Sequence, residues 1–269
     1  MIARPSISIV VPCFNEGERI ATTLSTLDGW FGDRAEIVVV DDGSGDGTAD
    51  RARAIATRAV VRVHRLERNG GKGLAIRAAI PLVAGDAVVI TDADLAFDCE
   101  SLERAIAALD DADLAIGNRR HPMSRYSVPV RLFGFLYRRH LVGMAFNQLV
   151  RLLVPVGVRD TQCGLKAFRR DALVRAACSL TVDGFALDVE LLLVARALGL
   201  RRSEVPVLVS YESAASSVRL LRSGLAMARD ITWIAARHAA GRYSPARVRA
   251  ACAMLQPTPA HQEPPARTR

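Results

Sequence analysis

The sequence predicts an α/β domain built on a mostly parallel sheet with helices on both faces. Three observations carry that prediction. Apolar, β-branched runs such as ISIVVPCF (7–14) and EIVVVDD (36–42) stop abruptly at polar residues, as strands buried on both faces do. Segments with helical spacing alternate with these runs over short connections. Polar clusters fall where the strands end: CFNEGE after the first, DDGSGDG after the second, DAD after the fourth and GNRR after the fifth. Ligands of open α/β sheets collect at the carboxyl ends of the strands, so this edge is the expected active site.

Taken in order, the strand at 7–14 leads into a helix at 16–29, with Ile20, Leu24 and Leu27 on one stripe. The strand at 36–42 is followed by GDGT, a helix start, and by AVVRVH (59–64) as the next strand. A helix at 71–83, a strand at 86–92, a helix at 99–109 and a strand at 113–118 complete the alternation. After Arg120 the pattern changes. A loop (121–130) precedes a long apolar, Arg-bearing helix at 131–154, then VRDTQCGLKAFRR (158–170), a helix at 185–200, a strand at 204–209 and an amphipathic helix at 217–240. Half of the 269 residues are hydrophobic, enough for one large core or two small ones, and no internal repeat is present. The expected organisation is one domain over 1–245, with a nucleotide-binding half (1–120) and an acceptor-facing half (121–245). The Pro-rich, polar stretch 254–269 reads as a disordered tail.

The formal charge of +8 calls for an anionic partner or surface, and its distribution is uneven. Residues 115–159 hold eight arginines and no acid, whereas the first hundred residues carry most of the carboxylates. Lys72 and Lys166 are the only lysines; every other basic residue is arginine, the side chain suited to bidentate phosphate contacts. Biased genome composition would produce the same excess. The basic charge alone suggests nucleic acid, but 5% aromatic residues, four acidic strand ends and the absence of an RNP-like or helix-turn-helix signature argue against it. Five scattered cysteines without metal-ligand spacing, and a start with no secretory signal, read as buried thiols in a reducing cytosol. The longest apolar stretch, 132–158, is broken by Arg138, Arg139 and Arg151, so it is expected to lie on a membrane or pack in a core, not to cross a bilayer.

The chemistry centres on VVITDADLAFD, where Asp92 and Asp94 end a buried strand with two like charges. At this spacing on a strand end both point to roughly the same side. Hard oxygen ligands of this kind suit Mg²⁺ or Mn²⁺, whose charge would offset their repulsion; a solvated turn is the plain alternative. DDGSGDGT lacks both dinucleotide and P-loop spacing, so its glycines read as a tight turn with Ser44 or Asp46 at a helix start. The turn does not account for Asp41 and Asp42 together, and a carboxylate there can accept a nucleobase N–H.

Five motifs, VVPCFNE, VVVDDGSGDGT, RNGGKG, TDADL and GNRR, occur in this order over 7–120. Together they resemble the nucleotide-sugar domain of the family 2 inverting glycosyltransferases of the GT-A fold. VRDTQCGLKAFRR and GFALDVELLLVARALGLRRSEVPV resemble the dolichyl-phosphate glucosyltransferases, and less closely the dolichyl-phosphate mannose synthases; the resemblance covers about 5–245. It implies that Pro12, Phe14 (where a Tyr is frequent) and Glu16 line the nucleotide pocket and that Asp42, beside Asp41, recognises the base. It implies that Asp92 and Asp94 hold a divalent cation on the donor diphosphate, with Ala93 against the ribose, and that Arg119 contacts the donor. Asp188 and Glu190 would face the donor sugar, a buried helix being the alternative for both, and Arg139 would receive the acceptor phosphate. Arg131 and Arg138, seven apart on one helix face, would meet lipid headgroups; an ordinary core helix with snorkelling arginines is the alternative. The chain departs from the family at ESAASSVRLL, where Ser217 stands in place of a usual lysine and Arg219 is the candidate substitute.

The implied activity is inverting transfer of a hexose, glucose from UDP-glucose before mannose from GDP-mannose, to polyprenyl or dolichyl phosphate. The enzyme would be peripheral on the cytoplasmic membrane face; a soluble transferase with a non-lipid acceptor is the alternative. A phosphate acceptor is already an anion, so the protein must position it and neutralise charge on both sides, with no strong general base.

Overall fold

The computed structural model describes residues 6–129, 143–144, 146–210 and 220–255. β1 (Ile7–Cys13) lies beside β2 (Ala35–Asp41); all fourteen residues are buried, in keeping with their mostly apolar runs. The outer neighbour β3 (Val60–Arg65) is largely exposed, and its charged positions show it to be an edge. β4 (Ala87–Ile90) and β5 (Leu114–Asn118) continue the parallel sheet. Four helices link these strands: α1 (Ile20–Phe31), α2 (Thr48–Ala54), α3 (Lys72–Ala79) and α4 (Cys99–Ala107). Asp98 caps α4 by accepting from the Ser101 amide at 3.0 Å.

The second half supplies a helical stretch α5 (146–153), β7 (Lys166–Arg169), α6 (Arg170–Ala177), α7 (Leu187–Leu198), β8 (Arg202–Pro206), α8 (Leu220–Ala239) and α9 (Pro245–Leu255). The short strands β6 (Arg125–Ser127) and β9 (Leu208–Ser210) pair in parallel as a separate small sheet. The main sheet has the order β3-β2-β1-β4-β7-β5-β8, and β7 runs antiparallel between β4 and β5. The two sequence halves thus share one sheet. Alternate residues of each strand enter different cores. Val38, Val40, Val88 and Ile90 pack under α3, α6 and α7, while Ile37, Val39 and Val89 pack under α1 and α4.

β6, inside the expected loop at 121–130, and α6 add to the expected elements, and three further features differ from the sequence expectation. β7 was not foreseen, because Lys166 and Arg169 bracket only two apolar residues. The single strand expected at 204–209 is two, since Pro206 has no amide to continue the ladder. There the chain leaves β5, the Val207 amide donates to the Ser124 hydroxyl oxygen at 2.9 Å, and the Val207 carbonyl accepts from the Arg125 amide at 3.0 Å. α9 runs through Leu255, so Met254 belongs to a helix that buries Val248 and Cys252, and not to the tail; 256–269 lie outside the described residues. Among the described residues, no helix is long and apolar enough to cross a membrane.

Candidate active site

β4 ends at Ile90, and the backbone then turns across the carboxyl edge. The Thr91 amide still bonds the Val10 carbonyl at 3.1 Å, the Ala93 carbonyl accepts from the Thr23 hydroxyl of α1 at 2.6 Å, and the Leu95 amide closes the turn on Asp92 O at 3.1 Å. Leu95 sits at φ 44°, an uncommon conformation held by these bonds. Asp92 and Asp94 therefore leave a pinned backbone. Asp92 receives the Lys72 ammonium at 2.6 Å. Burial would raise its pKa, but Lys72, Lys166 and Arg119 outweigh burial and lower it. Asp94 has only a long bond from the Ala96 amide, 3.3 Å; desolvation of its carboxyl at the cleft, then the charge of Asp92, push its pKa up. A carboxylate held against a like charge is a site that a cation relieves. Gly164 leaves the room: a Cβ there would overlap an Asp92 oxygen. Among the described residues no group of three or more His, Cys, Asp or Glu could hold a metal, so a cation at this pair would draw its other ligands from the substrate or water, as Mg²⁺ commonly does.

Both lysines of the chain converge here, and neither was assigned a role from sequence. Lys72 opens α3, and the loop before it is tied down: Gly70 and Gly71 amides each donate to Asp42 at 2.7 Å, with Gly71 at φ 102°. The Asp183 carbonyl caps the helix, accepting from Gly73 at 2.6 Å and Leu74 at 3.1 Å. Burial works against the Lys72 charge, yet Asp92, Asp188 and Asp94 together raise its pKa. Lys166, fully buried on the central β7, donates to Asp188 at 2.8 Å and to the Cys163 carbonyl at 2.7 Å. Arg119 forms a fork with Asp160 (2.7 and 2.9 Å) at the end of β5. Burial would raise the Asp160 pKa, but the Arg119 hydrogen bonds hold it low. Asp160 too was unassigned. The readable signal for the lysines was their rarity in an arginine-rich chain; for Asp160 there was none.

The other expected residues divide. Pro12 is buried near the end of β1, Phe14 is exposed just beyond it, and half-buried Glu16 pairs with Arg19 at 2.8 Å. Burial raises the Glu16 pKa despite that partner. Asp42 lies at the same edge; burial raises its pKa, against the two glycine amides. Asp41 points to the opposite side. It accepts from the Ser44 amide at 3.0 Å and lies 3.6 Å from Arg65, lining a cavity of about 290 Å³ with Ser44, Thr48 and Asp50. It braces the turn and does not join Asp42. Asp188 reaches the cleft through Lys166. Glu190 corrects the expectation: it is fully buried on the other side of α7, where Thr181 (amide 2.8 Å, hydroxyl 2.6 Å), the Val182 amide (2.8 Å) and the Tyr243 hydroxyl (2.6 Å) all donate to it. Its lone pairs are committed to the scaffold. Arg131, Arg138, Arg139 and Arg219 lie outside the described residues. Cys163 is pushed up to about 12, by burial first and Asp160 second, so it is a protonated, inert thiol at this site.

Acidic and cationic groups gathered at the carboxyl edge of an α/β sheet agree with the resemblance to the transferases of the GT-A fold, and the family comparison settles the class. The model of the family described as glycosyl transferase family 2 matches residues 8–175, and the chain belongs to that family. Its relatives include the dolichyl-phosphate β-glucosyltransferases of Homo sapiens (34% identical over 255 residues, 88% of this chain and 77% of that protein) and Mus musculus (33% over 255 residues, with the same coverage). Among solved structures, glucosyl-3-phosphoglycerate synthase from Mycobacterium tuberculosis is similar (25% identity, TM-score 0.62, covering 86% of this chain and 79% of that one). The same synthase has been solved in complex with Mn²⁺, UDP-glucose and glycerol 3-phosphate; that chain matches with 24% identity, a TM-score of 0.62 and the same coverage.

Proposed function

We propose that this protein transfers glucose from UDP-glucose to dolichyl or polyprenyl phosphate with inversion, as a peripheral enzyme on the cytoplasmic face of a membrane. The observation that carries the reading is the similarity to dolichyl-phosphate β-glucosyltransferases along 88% of the chain, with the Asp92/Asp94 pair at its cleft. The cleft supports it chemically. Asp92, Asp160 and Asp188 are each paired with a cation, which equips the site to balance charge and not to abstract a proton. An acceptor that arrives as a phosphate anion needs no base. Mg²⁺ or Mn²⁺ held by Asp92 and Asp94 would supply positive charge to the leaving diphosphate.

In this reading Pro12, Phe14, Glu16 and Asp42 hold the nucleotide, Ala93 faces the ribose, and Arg119, kept in place by Asp160, lies beside the donor. Arg131, Arg138 and Arg139 receive the acceptor phosphate and lipid headgroups, and Arg219 supplies the donor with the cation that a lysine usually provides. Exposed apolar side chains support a lipid surface: Met144, Leu149, Leu152 and Leu153 all lie on or beside α5, next to Arg151. The structural likeness to a synthase solved with glycerol 3-phosphate favours a second reading, a small phosphorylated acceptor.

The test is transfer of radiolabel from UDP-glucose or GDP-mannose to vesicles containing polyprenyl phosphate, with 3-phosphoglycerate as a parallel acceptor and EDTA as a control. The expected product is organic-extractable, formed from UDP-glucose and abolished by EDTA. Label that enters only the aqueous phase with 3-phosphoglycerate overturns the lipid acceptor, and label from GDP-mannose alone overturns the donor.

A further inference from the structure

The Lys72 ammonium lies 2.6 Å from Asp92 and is only 15% exposed. Its loop cannot drift, because Asp42 holds the two preceding amides and Asp183 caps the helix that it starts. A dication approaching the free cleft thus meets one carboxylate that is already neutralised. To take it, the metal must strip the ammonium from Asp92 and leave an enclosed charge without its partner, which is costly. A diphosphate changes the balance, since its oxygens accept a lysine ammonium as readily as a carboxylate does.

We propose that Lys72 is a resident counter-ion that keeps Asp92 closed to divalent cations in the free protein. On donor binding it passes to the diphosphate, so that cation and nucleotide enter the site together. This rests on Asp92 and Asp94 being the cation ligands. The charges around the cleft agree: four carboxylates (Asp92, Asp94, Asp160, Asp188) stand against three cations (Lys72, Lys166, Arg119). A dication alone reverses the sign of that cluster, whereas a dication with a doubly charged diphosphate restores it. Lys72 is then a positioning residue for the metal as well as a partner for the donor.

The experiment follows Mn²⁺ binding to the full chain by loss of the free-ion EPR signal, with and without UDP. Wild type should bind Mn²⁺ at least about 10-fold more tightly with UDP than without it. Lys72→Met should bind nucleotide-free Mn²⁺ about 10-fold more tightly than wild type, and UDP should then add less. If Lys72→Met leaves nucleotide-free Mn²⁺ affinity unchanged or weaker, while Asp94→Asn abolishes binding with UDP, the counter-ion role falls and the cation site stands. If Asp94→Asn binds Mn²⁺ with UDP as wild type does, the cation site itself falls. Lys72→Gln, neutral but polar, replaces the Met variant if thermal unfolding shows that Met is not accommodated.

Discussion

Two acidic pairs with the same spacing end up in opposite roles. Asp92 and Asp94 stand in the turn that follows β4, closed by the Leu95 amide on the Asp92 carbonyl, and both reach the cleft. Asp188 and Glu190 sit in the first turn of α7, where residues two apart point to nearly opposite faces. Asp188 reaches the cleft through Lys166, and Glu190 is closed into the core by four donated hydrogen bonds. α7 is buried at ten of its twelve positions, so a carboxylate on its far side must be fully satisfied or it could not be there. A two-residue interval has meaning only once the local period is known.

The largest effect that would break this contrast is at Asp94. Asp94→Asn should lower transfer about 100- to 1,000-fold, the cost of removing one group that stabilises developing charge, without weakening the fold. Radiolabelled glucose transfer and thermal unfolding check it together; full activity would return Asp94 to the status of a solvated turn residue. Glu190→Ala should do the reverse. It leaves the Thr181 and Val182 amides and the Tyr243 hydroxyl without an acceptor and should cost about 4 kcal/mol of stability by denaturant unfolding. The folded fraction should keep its KM for the donor. Lost turnover in a fully stable variant would place Glu190 back among the site residues.

Much of the first half was legible because strands buried on both faces leave an unmistakable trace: β1, β2, β4 and β5 are apolar runs ended by polar clusters, and the edge those clusters mark is where the cleft lies. β7 was hidden for a physical reason. It buries a lysine in the middle of the sheet, which no hydrophobic pattern announces, and the distant Asp188 together with the Cys163 carbonyl makes that tolerable. The same holds at the site. Asp92, Asp94 and Asp42 could be named from where they end strands, but that Lys72 would meet Asp92, or Asp160 would grip Arg119, depends on contacts between segments far apart in the chain. Asp41 was grouped with Asp42 by adjacency, although neighbours on a strand face opposite ways.

Lys166 sharpens the contrast within α7. Asp188→Asn should cost about 2 kcal/mol, less than Glu190→Ala, because Lys166 keeps the Cys163 carbonyl when it loses its charged partner. Adding Lys166→Met should recover part of that loss, since the unpaired buried charge goes with it. A double variant less stable than the single one would mean that the pair carries net stability and does not merely compensate itself.

The smallest effects, about 1 kcal/mol, are in the pH dependence of two cleft carboxylates with opposite shifts. Asp160 has a lowered pKa in the fold, so the stability it contributes is present above its usual value of 3.8 and is lost as the pH falls through the lower, folded value. Asp160→Asn should therefore be less stable than wild type at pH 7, with the gap closing under acid. Asp94 has a raised pKa, so its ionised form works against the fold; that penalty is absent below 3.8 and grows as the pH rises through the folded value. Asp94→Asn should match wild type in acid and exceed it at pH 7. Unfolding midpoints between pH 3 and pH 8, without metal, give both curves. Parallel curves would mean that neither desolvation nor Asp92 raises the Asp94 pKa, and the electrostatic reason for a cation at that pair would be gone.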